Sequence, residues 1–107
     1  MTDLRLIYIT AKDESEARAI GRALVEERLA ACANVLPGIA SCYWWQGAIA
    51  EDREALLVAK TRADLVPELT ARVKALHSYS LPCVVALPIV GGSAEYLAWL
   101  AGECRPQ

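Results

Sequence analysis

The chain contains no C-x-x-C pair, no excess of basic residues and no apolar run near the ~18 residues of a membrane span. Each absence removes a class of function. Among 107 residues, 11 Lys and Arg against 13 Asp and Glu give a net charge of −2, which offers no basic face to a nucleic-acid backbone. The opening MTDLRLIYIT has neither the cationic start nor the small-residue cleavage site of a secretory leader, so the expected address is the cytoplasm, with no membrane partner. Cysteines 32, 42, 83 and 104 signal neither a zinc knuckle nor a thioredoxin-type redox pair, and free thiols are expected in a reducing compartment. A single histidine, His77, leaves acid–base chemistry near neutral pH to that residue or to a perturbed carboxylate or thiol. No serine sits in a nucleophile elbow, and an enzyme is not expected. There is no linker, repeat or low-complexity tract, so residues 1–107 form one domain.

What the chain has in abundance is apolar surface, at 55% hydrophobic residues. It concentrates in Ala31 to Gly47, ACANVLPGIASCYWWQG, which is too broken by Pro37-Gly38 for a helix and too rich in β-formers for a loop. The segment reads as one long strand, bulged at Pro37-Gly38 and lying at a sheet edge, because proline cannot donate to a ladder. An edge this apolar invites aggregation unless it is paired, and pairing with another copy of the chain is the economical solution. Tyr43, Trp44 and Trp45 are the expected interface anchors.

Around it, the pattern changes period in a regular order. Leu4 to Ala11 reads as a first strand. From Asp13, apolar residues at Ala17, Ile20, Gly21, Leu24, Val25 and Leu29 predict an amphipathic helix, opened by Asp13 and Glu16 as a capping box. Gln46-Gly47 suits a tight turn into a strand over Ala48 to Thr61, antiparallel to the one before. A second helix, capped by Thr61 or Asp64 and carrying Leu65, Leu69, Val73 and Leu76, should end near His77, with Pro67 in its first turn. Cys83 to Val90 is a continuous apolar run and predicts a central strand covered on both faces. After Gly91-Gly92, Ala94 to Glu103 predicts a short final helix. The sum is an α+β, ferredoxin-like βαββαβ antiparallel sheet with an extra C-terminal helix. Both main helices cover one face, and the other face is too apolar to be left in water.

Sites on such a fold have to be argued separately from it. An RNA-recognition motif needs aromatics on its central strands, and ALLVAKT has none. An acylphosphatase-like loop would be glycine-rich where TAKDES is acidic. His77, at a helix end where the macrodipole favours a charged imidazole, reads either as a surface histidine or as a metal ligand converging with Cys83 and Cys32. Cys32 and Cys83, flanked by small apolar residues, read equally as core cysteines, Cys42 as packing and Cys104 as inert. Glu51, Asp52 and Glu54 read as a solvated hairpin.

LVEERLAACANVLPGIASCYWWQG, LLVAKT, ELTARVKALHSYSLPCVVALPI and YLAWL, in this order and spacing, resemble the CutA family of divalent-cation tolerance proteins. The resemblance implies a homotrimer whose long second and third strands reach neighbouring subunits. It also implies a cytoplasmic role in tolerance of copper and other divalent metals, with no enzymatic reaction and no required cofactor. The trimer resembles that of PII signalling proteins, which implies as the alternative a regulator binding a small anion or a partner protein in its inter-subunit clefts. His77 matches the family's proposed histidine ligand and Cys32 its AAC cysteine. The family pattern H-P-Y-E-x-P-E is altered at Ser78, Ser80 and Cys83, and Gln46 and Ala48 stand where Glu and Lys are usual. Two carboxylates are thereby replaced by a hydroxyl and a thiol, which favours copper(I) or zinc, held by His77, Cys83 and Cys32, over hard cations.

Overall fold

In a computed structural model that describes residues 3–106, four strands and three α-helices follow the expected order. Met1, Thr2 and Gln107 of the expected 1–107 domain lie outside the described residues. Strand β1 (Leu4–Ala11) buries Ile7, Ile9 and Ala11 and turns Tyr8 and Thr10 to the other side, the period of two that its sequence carries. Helix α1 (Glu14–Glu26) opens with Asp13, whose side chain accepts from the Glu16 amide, while Glu16 Oε1 accepts from the Lys12 amide. It ends earlier than Leu29, at a left-handed Arg28 (φ 57°). Leu29 N–H returns to Leu24 O and Arg28 N–H to Val25 O, which closes the last turn as a Schellman motif. Leu29 is buried all the same.

Strands β2 (Cys32–Trp45) and β3 (Ala48–Arg62) form a long hairpin closed by Gln46 and Gly47, both at positive φ (51° and 81°), as a two-residue turn of the hairpin kind requires. The bulge falls at Pro37-Gly38. Leu36 faces Leu56 and Ile39 faces Glu54, so β2 advances three residues while β3 advances two. One extra residue exchanges the two faces. Ala33 and Val35 pack toward the helices, whereas Ile39, Ser41, Tyr43 and Trp45 share the opposite face with Glu54 and Asp52. Trp44 consequently points away from Tyr43 and Trp45, and the three aromatics do not act as one patch.

A 3-10 turn (Ala63–Leu65) leads into α2 (Val66–Leu76), with Pro67 in its first turn and His77 at its end. Neither Thr61 nor Asp64 caps it. Thr61 is a buried strand residue donating from Oγ1 to Leu29 O (2.6 Å), and Asp64 pairs with the buried guanidinium of Arg62. Strand β4 (Val84–Pro88) and helix α3 (Ala94–Glu103), capped by Ser93, complete the chain.

The sheet order is β2-β3-β1-β4, every pairing antiparallel, with β1 and β3 in the centre. The expected central strand is therefore at an edge. Only Val84 of β4 packs on the core, and Val85 and Leu87 are half exposed, because its apolar run faces an uncovered sheet surface rather than a second layer of helices. The core lies on the other side, where Ala17, Ile20, Leu24, Leu69 and Val73 of α1 and α2 meet Ile7, Ile9, Leu57 and Ala59 of the sheet. The C-terminal residues clamp its end. Arg62 donates to Ala101 O and Arg105 O, Arg105 N–H to Arg28 O, and buried Cys104 sits against Thr61.

Candidate functional site

The face opposite the helices carries a groove of about 750 Å³ between the β2–β3 arm and the 79–83 loop. Its floor is Tyr8 and Thr10 of β1, its inner wall Glu54, and its flanks Tyr43 and Trp45 on one side and Tyr79, Leu81 and Cys83 on the other. The bulge makes this possible, since without the extra residue Tyr43 and Trp45 would face the helices' side.

His77 sets the position of the loop. Its side chain is fully buried, not a surface helix end. Nε2 lies 2.8 Å from Thr10 O, and Nδ1 accepts from the Tyr79 amide at 3.0 Å, an arrangement that requires the neutral ring with its proton on Nε2. The expected charged form at the helix end does not fit these bonds, because Nδ1 faces a donor. Glu16 supports the same turn, accepting from Ser78 N–H at 3.0 Å. Burial pushes its carboxyl up, but bonds from Ser78 and from the Lys12 amide outweigh it and hold Glu16 below the ordinary 4.5.

Beyond His77, the Tyr79 ring packs tilted against the imidazole, 4.7 Å between centroids and 45° between planes, and donates from its hydroxyl to Glu54 Oε2 at 2.9 Å. Glu54 is 7% exposed, so the solvated-hairpin reading fails for it. Burial and the bond to Glu54 both push the Tyr79 phenol well up, keeping it protonated. Tyr43 donates to Asp52 on the same face, which raises its phenol in the same direction.

The three expected ligands do not converge within one chain. Cys32, partly exposed, donates to Asn34 Oδ1 (3.6 Å) on β2; Cys83, also partly exposed, lines the groove; His77 has both nitrogens engaged by the backbone. Among the described residues no group of three or more His, Cys, Asp or Glu is placed to hold a metal ion. Cys42 is exposed rather than packed, on the free edge strand. Trp44 is 74% exposed, and Tyr43 and Trp45 are each about two-fifths exposed. Sequence reasoning missed Tyr79, Glu54 and Tyr8 as one cluster. Their signal was the alternation of β1 and β3, which places Tyr8 and Glu54 on one face, but the contact with Tyr79 depends on a loop folding back.

The profile of the CutA1 divalent ion tolerance protein family matches residues 5–103. The chain belongs to the CutA1 family. It is 55% identical over 95 residues to the divalent-cation tolerance protein CutA of Thermus thermophilus, covering 89% of this chain and 92% of that protein. A solved structure of the Thermus thermophilus Cut A1 divalent cation tolerance protein superposes with a TM-score of 0.93 at 51% identity, over 95% of this chain and 99% of that one. The chloroplastic CutA 1 of Oryza sativa is 44% identical over 94% of this chain, which spans 56% of that longer protein. The family description and the two Thermus thermophilus names speak of divalent-cation or ion tolerance, and none of these names states a reaction. Because one is chloroplastic, family membership alone assigns no compartment. No helix among the described residues of this family member is long and apolar enough to cross a membrane.

Proposed function

We propose that the chain acts in the cytoplasm as a homotrimer in divalent-cation tolerance, taking up a soft cation, copper(I) or zinc, at its thiols and catalysing no reaction. The observation that carries the assembly is the uncovered apolar face of the sheet. Tyr8, Leu36, Tyr43, Trp45, Val85 and Leu87 all stand more than a third exposed on it. Contiguous apolar surface of this kind marks an interaction site, and two unpaired edges, β2 and β4, flank it. The hairpin arm stretches the molecule to 44 Å against 25 and 22 Å across, the shape of an element that reaches a neighbour. Repeating one such contact head to tail closes a ring. Trp44 and Trp45 anchor it.

Metal capture in this reading rests on Cys83, which brings a thiol to the groove, and on Cys32, at the start of β2. Thiolates select soft ions. Since no three such donors meet among the described residues of one chain, the remaining ligands come from another copy, and assembly and binding are linked. His77 contributes by holding the loop that carries Cys83, not by a free nitrogen. The test is titration with copper(I) and with zinc of the unaltered protein, Cys83→Ser and Cys32→Ser. Loss of stoichiometric binding in the variants is expected, and undiminished binding in both would remove the thiol site.

A further inference from the structure

Helix α3 is held to the molecule by its ends more than by its face. Of its ten residues Leu100 alone is fully buried, and Tyr96 and Trp99 stand two-fifths or more exposed. One buried leucine does not offset the entropy of ordering ten residues, and an isolated helix of this length is marginal in water. The near end hangs on residues 90–93, all exposed. Ile89 N–H still bonds to Leu4 O (3.1 Å), so the backbone is fixed up to that point. Beyond it, Gly91 has open space around it and Gly92 adopts φ 150°, and a pair of glycines leaves the chain free to rotate there. The first turn is tied to the sheet by an exposed bond from Lys60 Nζ to Tyr96 Oη (3.2 Å).

The far end is fastened differently. The last four carbonyls of a helix have no partner within it. Here Leu100 O accepts from Cys104 Sγ (3.4 Å), Ala101 O from Arg62 Nη1 (3.1 Å) and Glu103 O from Arg28 Nη1 (2.9 Å). Arg62 also donates to Arg105 O, while Asp64 grips its guanidinium in two bonds of 2.9 and 3.1 Å. The pairs of Arg28 with Glu103 and of Arg105 with Glu68 lie in solvent, where ion pairs contribute little, whereas the Arg62 side chain is 6% exposed. Behind this fastening lies buried Cys104, its thiol 3.7 Å from Thr61 Oγ1.

We propose that α3 is a hinged flap, pivoting at Gly91-Gly92 and latched at its far end by Arg62, which opens while the sheet stays folded and thereby uncovers the Cys104 thiol. The test is amide hydrogen exchange, read by mass spectrometry on the natively assembled protein, together with alkylation of Cys104 by N-ethylmaleimide followed on its own peptide. In the unaltered protein, amides of residues 97–103 should exchange at least about tenfold faster than those of residues 55–60 in central β3. Arg62→Lys keeps a positive charge beside Asp64 but cannot serve both carbonyls, and it should speed exchange of 97–103 and alkylation of Cys104 by roughly tenfold. Ile9→Val, a core change away from the latch, should speed 55–60 and leave 97–103 unchanged, because the core is intact when the flap is open. Exchange of 97–103 as slow as that of 55–60 in the unaltered protein, which is the result expected if another copy pins the helix, would overturn the proposal. So would full protection of 97–103 and Cys104 in folded Arg62→Lys, or equal acceleration of both segments by Ile9→Val. The comparison within the unaltered protein decides the matter even if Arg62→Lys does not fold.

Discussion

His77 ties together three places far apart in sequence: the end of β1 at Thr10, the end of α2 and the turn at Tyr79. Truncating it strands a buried carbonyl and amide, so His77→Ala should destabilise by about 2 to 4 kcal/mol in denaturant unfolding, whether or not metal is present. A loss of metal binding with unchanged stability would instead make it a ligand. Glu16 gives a second prediction, with its sign fixed by the lowered carboxyl. A folded-state value below the unfolded one adds stability that is present above pH 4.5 and lost as pH falls through the lowered value. Melting curves of Glu16→Gln should therefore lie below those of the unaltered protein at neutral pH and converge with them in acid. A gap that persists unchanged at low pH would contradict this. At this scale the sequence was least informative. The histidine's helix-end position was legible, but its burial depends on Thr10, 67 residues away. The same holds for Glu54, whose partner Tyr79 arrives from another part of the chain.

At the scale of elements, local signals carried most of the fold. Period two in Leu4–Ala11, the Asp13–Glu16 box and the bulge at Pro37-Gly38 all act within a few residues, and each element appears where those signals put it. What local signals cannot encode is which strands are neighbours. The Cys83–Val90 run is apolar for a reason its own residues do not show. β4 is an edge strand over an uncovered face, not a central one between layers, and apolar content alone does not separate the two. The end of α1 was similarly obscured, since Leu29 keeps the helical spacing although Arg28 has already turned left-handed. The hairpin turn is a clear test of local encoding. Gly47 sits at φ 81° with open space around it, so a side chain there meets backbone strain rather than a clash. Gly47→Val should cost about 1 to 2 kcal/mol in chemical unfolding and leave the core intact. No change in stability would mean that the arm tolerates another turn.

For the whole molecule, the bulge decides where the exposed apolar surface goes. By exchanging faces at Pro37-Gly38 it directs Tyr43 and Trp45 to the open face with Tyr8, while the alternation of the strand sets Trp44, paired with Ile49, on the other side of the arm and at the groove's rim. The two tryptophans should then contribute differently to assembly. Trp45→Ala is expected to weaken it by removing surface from the shared face, and Trp44→Ala by removing the most exposed aromatic of the arm's other side. Both variants keeping the parent's mass on dilution would place the interface elsewhere. The measurement that bears most directly on the proposed assembly is the mass of the native protein by light scattering coupled to sizing. A homotrimer predicts three times the 11.6 kDa of one chain, held at micromolar concentration. A mass of one chain would contradict it.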